Sequence, residues 1–322
     1  MFTRRVTLSL SLGLAVTPLA RAQARYPERP ITLLVPFAPG GIADLTARAV
    51  AEHLAGSLGQ PIVVDNRPSA GSIVASQAVA TAKPDGYTLL LMSNSNALSA
   101  TLFRKLPYDT LKAFAPVSTL GFFDIGVFAN VGGRHTALGD VLAFARAQPG
   151  KLTIGTIAVG STQHLAAEYF KTVTSIDALI VPYKGSPAVL TALRAGEIDI
   201  AFEIVGPMLS QVSAGTVRAL AVSSATRNPA LPDVPTAQQA GVAGFALASW
   251  NAIAAPAGTP PDVIERLNRA VREAVRAPAV RDKLGKLGVR LQAGTPAELQ
   301  LLLANEVKRW GDVIRAAKIE PE

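Results

Sequence analysis

The chain of 322 residues is long enough for two domains of ordinary size, each with its own core, and a composition that is 49% hydrophobic and 17% charged excludes an intrinsically disordered chain. The net charge of +8 is spread along the chain rather than gathered in a basic run, which excludes the dense electrostatic footprint of a nucleic-acid binder. The absence of cysteine excludes disulfides, thiolate metal sites, a cysteine nucleophile and a lipid-anchoring cysteine.

At the N-terminus, Arg4-Arg5 precedes the apolar stretch Val6 to Ala20, and Ala20-Arg21-Ala22 and Ala22-Gln23-Ala24 each fit a small-x-small cleavage site. This order predicts a secretory signal peptide over residues 1–24. The apolar stretch is shorter than the roughly 20 residues that span a bilayer, so the expectation is an exported protein, free in the periplasm after cleavage. Thr3-Arg4-Arg5 is weakly twin-arginine-like and leaves the export route open.

Short apolar strands then alternate with amphipathic helices. Ile31–Val35 is a strand ended by Pro36 and a glycine-rich turn. Ile42–Leu58 is a helix with Ile42, Leu45, Ala49, Leu54 and Leu58 on one face and Gly59 beyond its end. Pro61–Val64 and Tyr87–Met92 are predicted strands flanking a helix over Ala70–Ala80, and Lys83-Pro84-Asp85-Gly86 is a turn. Farther on, Ile125–Ala129, Leu152–Thr156, Ala178–Val181, Glu197–Phe202 and Val217–Ser223 are predicted strands, with helices near 136–148, 161–173 and 187–195. Pro261–Ala277 and Thr295–Ala317 are helical with no clear strand between them. The alternation predicts an α/β fold built on a parallel sheet with helices on both faces.

Ligands of such sheets bind beyond the carboxyl ends of the strands. The segment Pro36-Phe37-Ala38-Pro39-Gly40-Gly41-Ile42-Ala43-Asp44 would bring glycine backbone and a helix start to that edge, where unpaired N–H groups and the helix dipole favour an anion. Asp44 reads as a helix-start charge with Arg48 as its partner one turn on. Ser93-Asn94-Ser95-Asn96 offers hydroxyls and amides to a cleft, or caps the next helix. In Gly155 to His164, Ser161 is a natural N-cap, and no elbow motif or third group supports a Ser161–His164 nucleophile pair. Pro182-Tyr183-Lys184-Gly185-Ser186 places a Tyr and a Lys beside a glycine turn, either to hold a carboxylate or with the Lys simply solvated. The passage from Val35-Pro36-Phe37 through glycine into a helix is echoed by Val181-Pro182-Tyr183, either as paired helix starts or as two similar turns. Glu203, just past a predicted strand, would repel a second carboxylate or favour an amine if it faced the cleft. His53, His135 and His164 are too scattered for a metal site, and no phosphate-binding glycine motif occurs, so no metal or cofactor is expected.

These segments together resemble the Bug family, the substrate-binding proteins of tripartite tricarboxylate transporters. The markers run through Tyr26-Pro27, Val35-Pro36-Phe37, Gly40-Gly41, Asp44 and Arg48, then Asn66-Arg67-Pro68 and Pro84-Asp85-Gly86-Tyr87-Thr88-Leu89. They continue with Pro149-Gly150-Lys151-Leu152, Gly160-Ser161, His164-Leu165, Val181 to Ser186, Leu220-Ala221-Val222, Leu231 to Thr236 and Ala255 to Pro260.

The resemblance implies a two-lobed periplasmic binding protein of type II, a Venus-flytrap clamp. Residues 25–122 plus 248–322 would form one lobe and 123–247 the other, with crossings near 121–126 and 244–250. It also implies a small carboxylate or related aromatic ligand held by Phe37, Gly40, Gly41, Ile42, Ala43, Ser93, Gly160, Ser161, Thr162, Tyr183, Lys184 and Gly185, with no catalytic residue. Where the family often carries Ser or Thr after its paired glycines, this chain has Ile42 and Ala43, and Ser69 and Ser72 stand where glycines are common. The first change implies a more apolar pocket wall; together they leave the ligand's identity open. The implied partner is a membrane permease, with a sensor protein as the alternative, and the protein is expected to be a monomer. A hydrolase on the same scaffold lacks a nucleophile–base–orienter set.

Overall fold

The computed structural model describes residues 26–316 and 319–321; the predicted signal peptide over 1–24 lies outside the described residues. The chain opens with β1 (Ile31–Val35), α1 (Ile42–Leu58), β2 (Ile62–Asn66), a single 3-10 turn over Ala70–Ser72, α2 (Ile73–Ala80), β3 (Thr88–Ser93) and α3 (Asn94–Leu102). β1 pairs in parallel with β2 and β3, and α1 buries Ala47, Val50, Leu54 and Leu58. Gly59, left-handed at φ 73°, ends α1 by donating its N–H to the Ala55 carbonyl, as its position past the apolar stripe predicts.

The next strand departs from expectation. β4 runs from Phe114 to Asn130, far beyond the predicted Ile125–Ala129. It is the shared strand of the whole sheet. From Phe114 to Asp124 it pairs antiparallel with β9 (Ala248–Pro256). From Ile125 on it pairs antiparallel with β7 (Ile200–Ile204), and from Gly126 on also with β8 (Val217–Val222). The sheet is therefore mixed, not all-parallel. Between α4 (Leu138–Ala147) and α6 (Ser186–Ala195), a second parallel unit comprises β5 (Leu152–Ile157), α5 (Thr162–Thr174) and β6 (Ala178–Tyr183), with β7 parallel to β5. The order across the sheet is β2-β1-β3-β9-β4-β7-β5-β6.

Besides β9, three further elements were not expected from the sequence. α7 (Val205–Ser213) follows β7 without a loop, and α9 (Pro278–Gly285) and the two-residue β10 (Arg290–Leu291) lie between α8 (Pro261–Arg276) and α10 (Pro296–Ala316). The last helix returns to the first half of the molecule. Trp310, fully buried, donates its Nε1–H to Glu306 Oε2 at 2.8 Å and to Asn94 Oδ1 at 3.1 Å, which pins α10 onto α3. One large apolar core runs under both halves of the sheet, and a smaller one lies beneath α6, α7 and β8. The two halves of the sheet, joined through β4 and β9, make the two-lobed α/β architecture that the resemblance implies.

Candidate ligand-binding cleft

The carboxyl end of β1 and the carboxyl ends of β5 and β6 face each other across a narrow cavity of about 50 Å³. Phe37, Gly41, Ile42 and Ala43 form one wall with Pro68, Ser69 and Ser93. Ile157, Ala158, Thr162, Gln163, Lys184, Gly185 and Ser186 form the other, with Ile204 behind them. Ser249 and Asn251 of β9 line it as well.

The helix starts divide into two kinds. α1 and α6 begin at Gly41 and Gly185, and neither has a side-chain cap. The amides of Ile42 and Ala43, and that of Ser186 on the opposite wall, thus have no acceptor among the described residues and lie at the positive ends of their helices. α3 and α5 are capped. Ser93 Oγ accepts from Ser95 N at 3.2 Å while Asn96 Oδ1 accepts from Ser93 N at 2.9 Å, a full capping box. Ser161 Oγ accepts from His164 N at 3.1 Å and donates to the Ile157 carbonyl. The hydroxyl of Ser161 bonds the backbone of His164 rather than its ring, so the two do not form a nucleophile–base pair.

The β1–α1 loop is fixed from below by Asp44. Its carboxylate accepts from Gly40 N, Arg48 Nε and Asn66 Nδ2, all at 3.0 Å, and Asn66 also donates to the Phe37 carbonyl. Burial works against the charge, but these donors together hold the carboxyl below its ordinary range. Asp44 is the helix-start charge the sequence suggests, and it engages the Gly40 amide.

Of the residues the sequence nominates, Phe37, Gly41, Ile42, Ala43, Ser93, Thr162, Lys184 and Gly185 converge on the cleft. Lys184 is exposed at its rim and forms no ion pair among the described residues. Gly40 lies in an adjoining groove with Pro187 and Leu287. Ser161 is buried as the cap of α5, and Tyr183 packs onto the smaller core. Gly160 touches Gly71 from the other half of the sheet instead of lining the cavity. The two halves are in direct contact beside the cleft: Gly71 N donates to the Val159 carbonyl at 3.1 Å, and Thr162 Oγ1 and Ser249 Oγ share a hydrogen bond of 3.0 Å.

Sequence reasoning missed Ser249 and Asn251. Their spacing of two on a strand puts both on one face, and two polar residues in an otherwise apolar run were the available signal. It also passed over Gln163 and left the direction of Glu203 open. Glu203 is fully buried beneath the cleft wall, where burial pushes its carboxyl above the usual range despite hydrogen bonds from Gln163, the Ile204 amide and Ser186.

The model of the tripartite tricarboxylate transporter family receptor matches residues 46–319. The protein BugT of Bordetella pertussis is 37% identical over 292 residues, covering 90% of each chain. A protein encoded between two genes of a Pseudomonas species is 36% identical over 97% of this chain and 93% of its own. Among solved structures, the periplasmic binding protein BugD superposes with a TM-score of 0.88 at 28% identity, covering 92% of this chain and all (100%) of its own. MatC from Rhodopseudomonas palustris, solved with malate, superposes with a TM-score of 0.85 at 32% identity, covering 90% of this chain and 100% of its own. An R. palustris protein solved with adipate gives a TM-score of 0.88 at 34% identity, over 92% of this chain and 100% of that one.

Proposed function

This chain belongs to the tripartite tricarboxylate transporter receptor family, and from that premise we propose that it closes its two lobes around a small organic carboxylate and delivers it to a membrane permease. That it is a periplasmic solute-binding protein follows from the family and the fold.

The observation that carries the carboxylate reading is the pair of uncapped helix starts, α1 and α6, facing each other with Lys184 at the rim. Unpaired amides at two positive helix ends match an anion with oxygens on opposite sides. The malate and adipate bound by the two R. palustris proteins support the same class. On this reading residues 25–122 with 248–322 form one lobe and 123–247 the other. Gly41, Ile42, Ala43 and Ser93 hold the ligand from one side, and Thr162, Lys184 and Gly185 from the other. The protein works as a monomer without catalysis, and its first 24 residues are removed on export.

A thermal-shift screen of mono-, di- and tricarboxylates tests the binding role, because a ligand at 100 times its Kd adds about 2.7 kcal/mol. Stabilisation by an acid supports the proposal. Stabilisation by an uncharged sugar with no response to any acid overturns it. Capture from membranes by the immobilised, ligand-loaded protein tests delivery: a permease is expected, and a sensor kinase would replace transport with sensing.

A further inference from the structure

Gln163, in the first turn of α5, is one of the most enclosed polar side chains of the cleft, with 5% of its surface exposed. Its Nε2 donates to Glu203 Oε1 at 2.8 Å. The same oxygen of Glu203 accepts from the Ile204 amide, also at 2.8 Å. A backbone N–H can only donate, and the carbonyl oxygen of a protonated carboxyl accepts better than its hydroxyl oxygen, so a proton on Glu203 is favoured on Oε2, with the Ser186 hydroxyl as the carboxyl's further neighbour. The end of the Gln163 amide that meets it is therefore the NH2 group. The carbonyl oxygen of Gln163 points away from Glu203, has no donor among the described residues and is not sealed from solvent in a side chain that lines the cavity. It is an acceptor in a cleft whose other features, the two uncapped helix starts and Lys184, attract negative charge. Asn251, across the cavity, lines the opposite side, with its Nδ2 buried and unpartnered.

A plain carboxylate leaves this acceptor unsatisfied, and a carboxylate oxygen placed against it is repelled. A hydroxyl, an amide N–H or an ammonium group completes it. Resting on the reading of the cleft as a carboxylate site, we infer that its ligand is a carboxylate that also carries a hydrogen-bond donor, and that Gln163, held in orientation by Glu203, selects for that donor. A site with a buried acceptor rejects the analogue that lacks the donor because the acceptor is then desolvated without a partner.

Calorimetry on chain-matched pairs tests this: malate and aspartate against succinate, and 2-hydroxyglutarate and glutamate against glutarate. In at least one pair, the donor-bearing acid is expected to bind about tenfold or more tightly than its plain partner. In Gln163→Met, close in shape but without the carbonyl, the ratio is expected to fall below about threefold. Glu203→Leu, which frees the Gln163 amide to turn, is expected to lower the same ratio and provides a second variant should the first not fold. Plain acids binding as tightly as their donor-bearing partners, or a ratio unchanged in Gln163→Met, overturns this inference while the carboxylate reading stands. No response to any of these acids overturns this inference, and the carboxylate reading falls with it only if no acid of the wider screen binds either.

Discussion

Gly71 and Gly160 meet backbone to backbone where the two halves of the molecule touch: a Cβ on Gly160 would lie 3.0 Å from Gly71 Cα and 3.1 Å from its nitrogen. Only a residue without a side chain lets the 3-10 turn before α2 approach the loop before α5 this closely, and the Gly71 amide then reaches the Val159 carbonyl.

Gly160→Ala is therefore expected to hold the halves apart and to weaken any cleft ligand about tenfold or more. Gly160 is left-handed at φ 75°, so part of the cost is backbone strain of about 1–2 kcal/mol in every state. Gly215→Ala separates the two effects, because Gly215 is also left-handed (φ 66°) but nothing lies within 4 Å of an added Cβ. Calorimetry should find affinity lost in the first variant alone, with thermal stability reduced in both. Unchanged affinity in Gly160→Ala removes this contact from the closure mechanism.

Gly41 has an ordinary φ of −80°, and an added Cβ would stand 3.8 Å from Ser186 Oγ, so the protein itself tolerates a side chain there. A valine would instead occupy the space in front of the Ile42 and Ala43 amides. Losing two charge-assisted hydrogen bonds costs about 3 kcal/mol or more, a loss of about a hundredfold or greater in affinity. Lys184, exposed at the rim, makes at most one solvent-screened contact. Gly41→Val should thus weaken binding well beyond Lys184→Ala while circular dichroism stays native. The reverse order would make the site side-chain-dominated.

The Asp44 carboxyl is held below its unfolded value by its donors. Its contribution is present above the unfolded pKa of about 3.9 and is lost as pH falls through the lower folded value. Asp44→Asn should cost about 1–3 kcal/mol near neutrality. Denaturant melts at pH 7 and at low pH should show that the difference from wild type shrinks on acidification. A pH-independent difference would assign the loss to packing alone.

Glu203 titrates in the opposite sense. Its folded pKa lies above the unfolded value of about 4.3, so its favourable contribution is complete below that value and is lost as pH rises through the folded pKa. Glu203→Gln keeps the shape and removes the charge. Relative to wild type, the variant should gain stability as pH rises from 4 to 8, read by urea midpoints at each pH. A difference that stays flat or reverses means that ionised Glu203 has a counterion or donor beyond Gln163, the Ile204 amide and Ser186.

Where element identity rests on local periodicity with a clear stop, it was legible: Ile31–Val35 before Pro36, and Ile42–Leu58 before Gly59, agree with the structure at both ends. β4 was not, because Pro116 and Gly121 sit inside it and register shifts at Pro116/Ser118 and Thr119/Gly121 break the alternation that marks a strand. α7 was hidden because β7 runs into it directly, and Gly206-Pro207 in its first turn reads as a breaker. The glycine loops of the cleft were visible as chemistry. Whether a given serine hydroxyl is free was not: Ser93 and Ser161 carry the composition of a binding loop but serve as helix caps. The Gln163–Glu203 pair, 40 residues apart in the chain, leaves no local signal at all.

The central claim, that two facing helix starts hold a carboxylate, is tested most directly by calorimetric titration of the wild-type protein with its best acid and with the neutral carboxamide of the same skeleton. Unpaired amides at positive helix ends favour the charged form, so the acid is expected to bind about a hundredfold or more tightly than the amide. Equal affinity for the two would show that charge is not what the cleft recognises and would contradict the account.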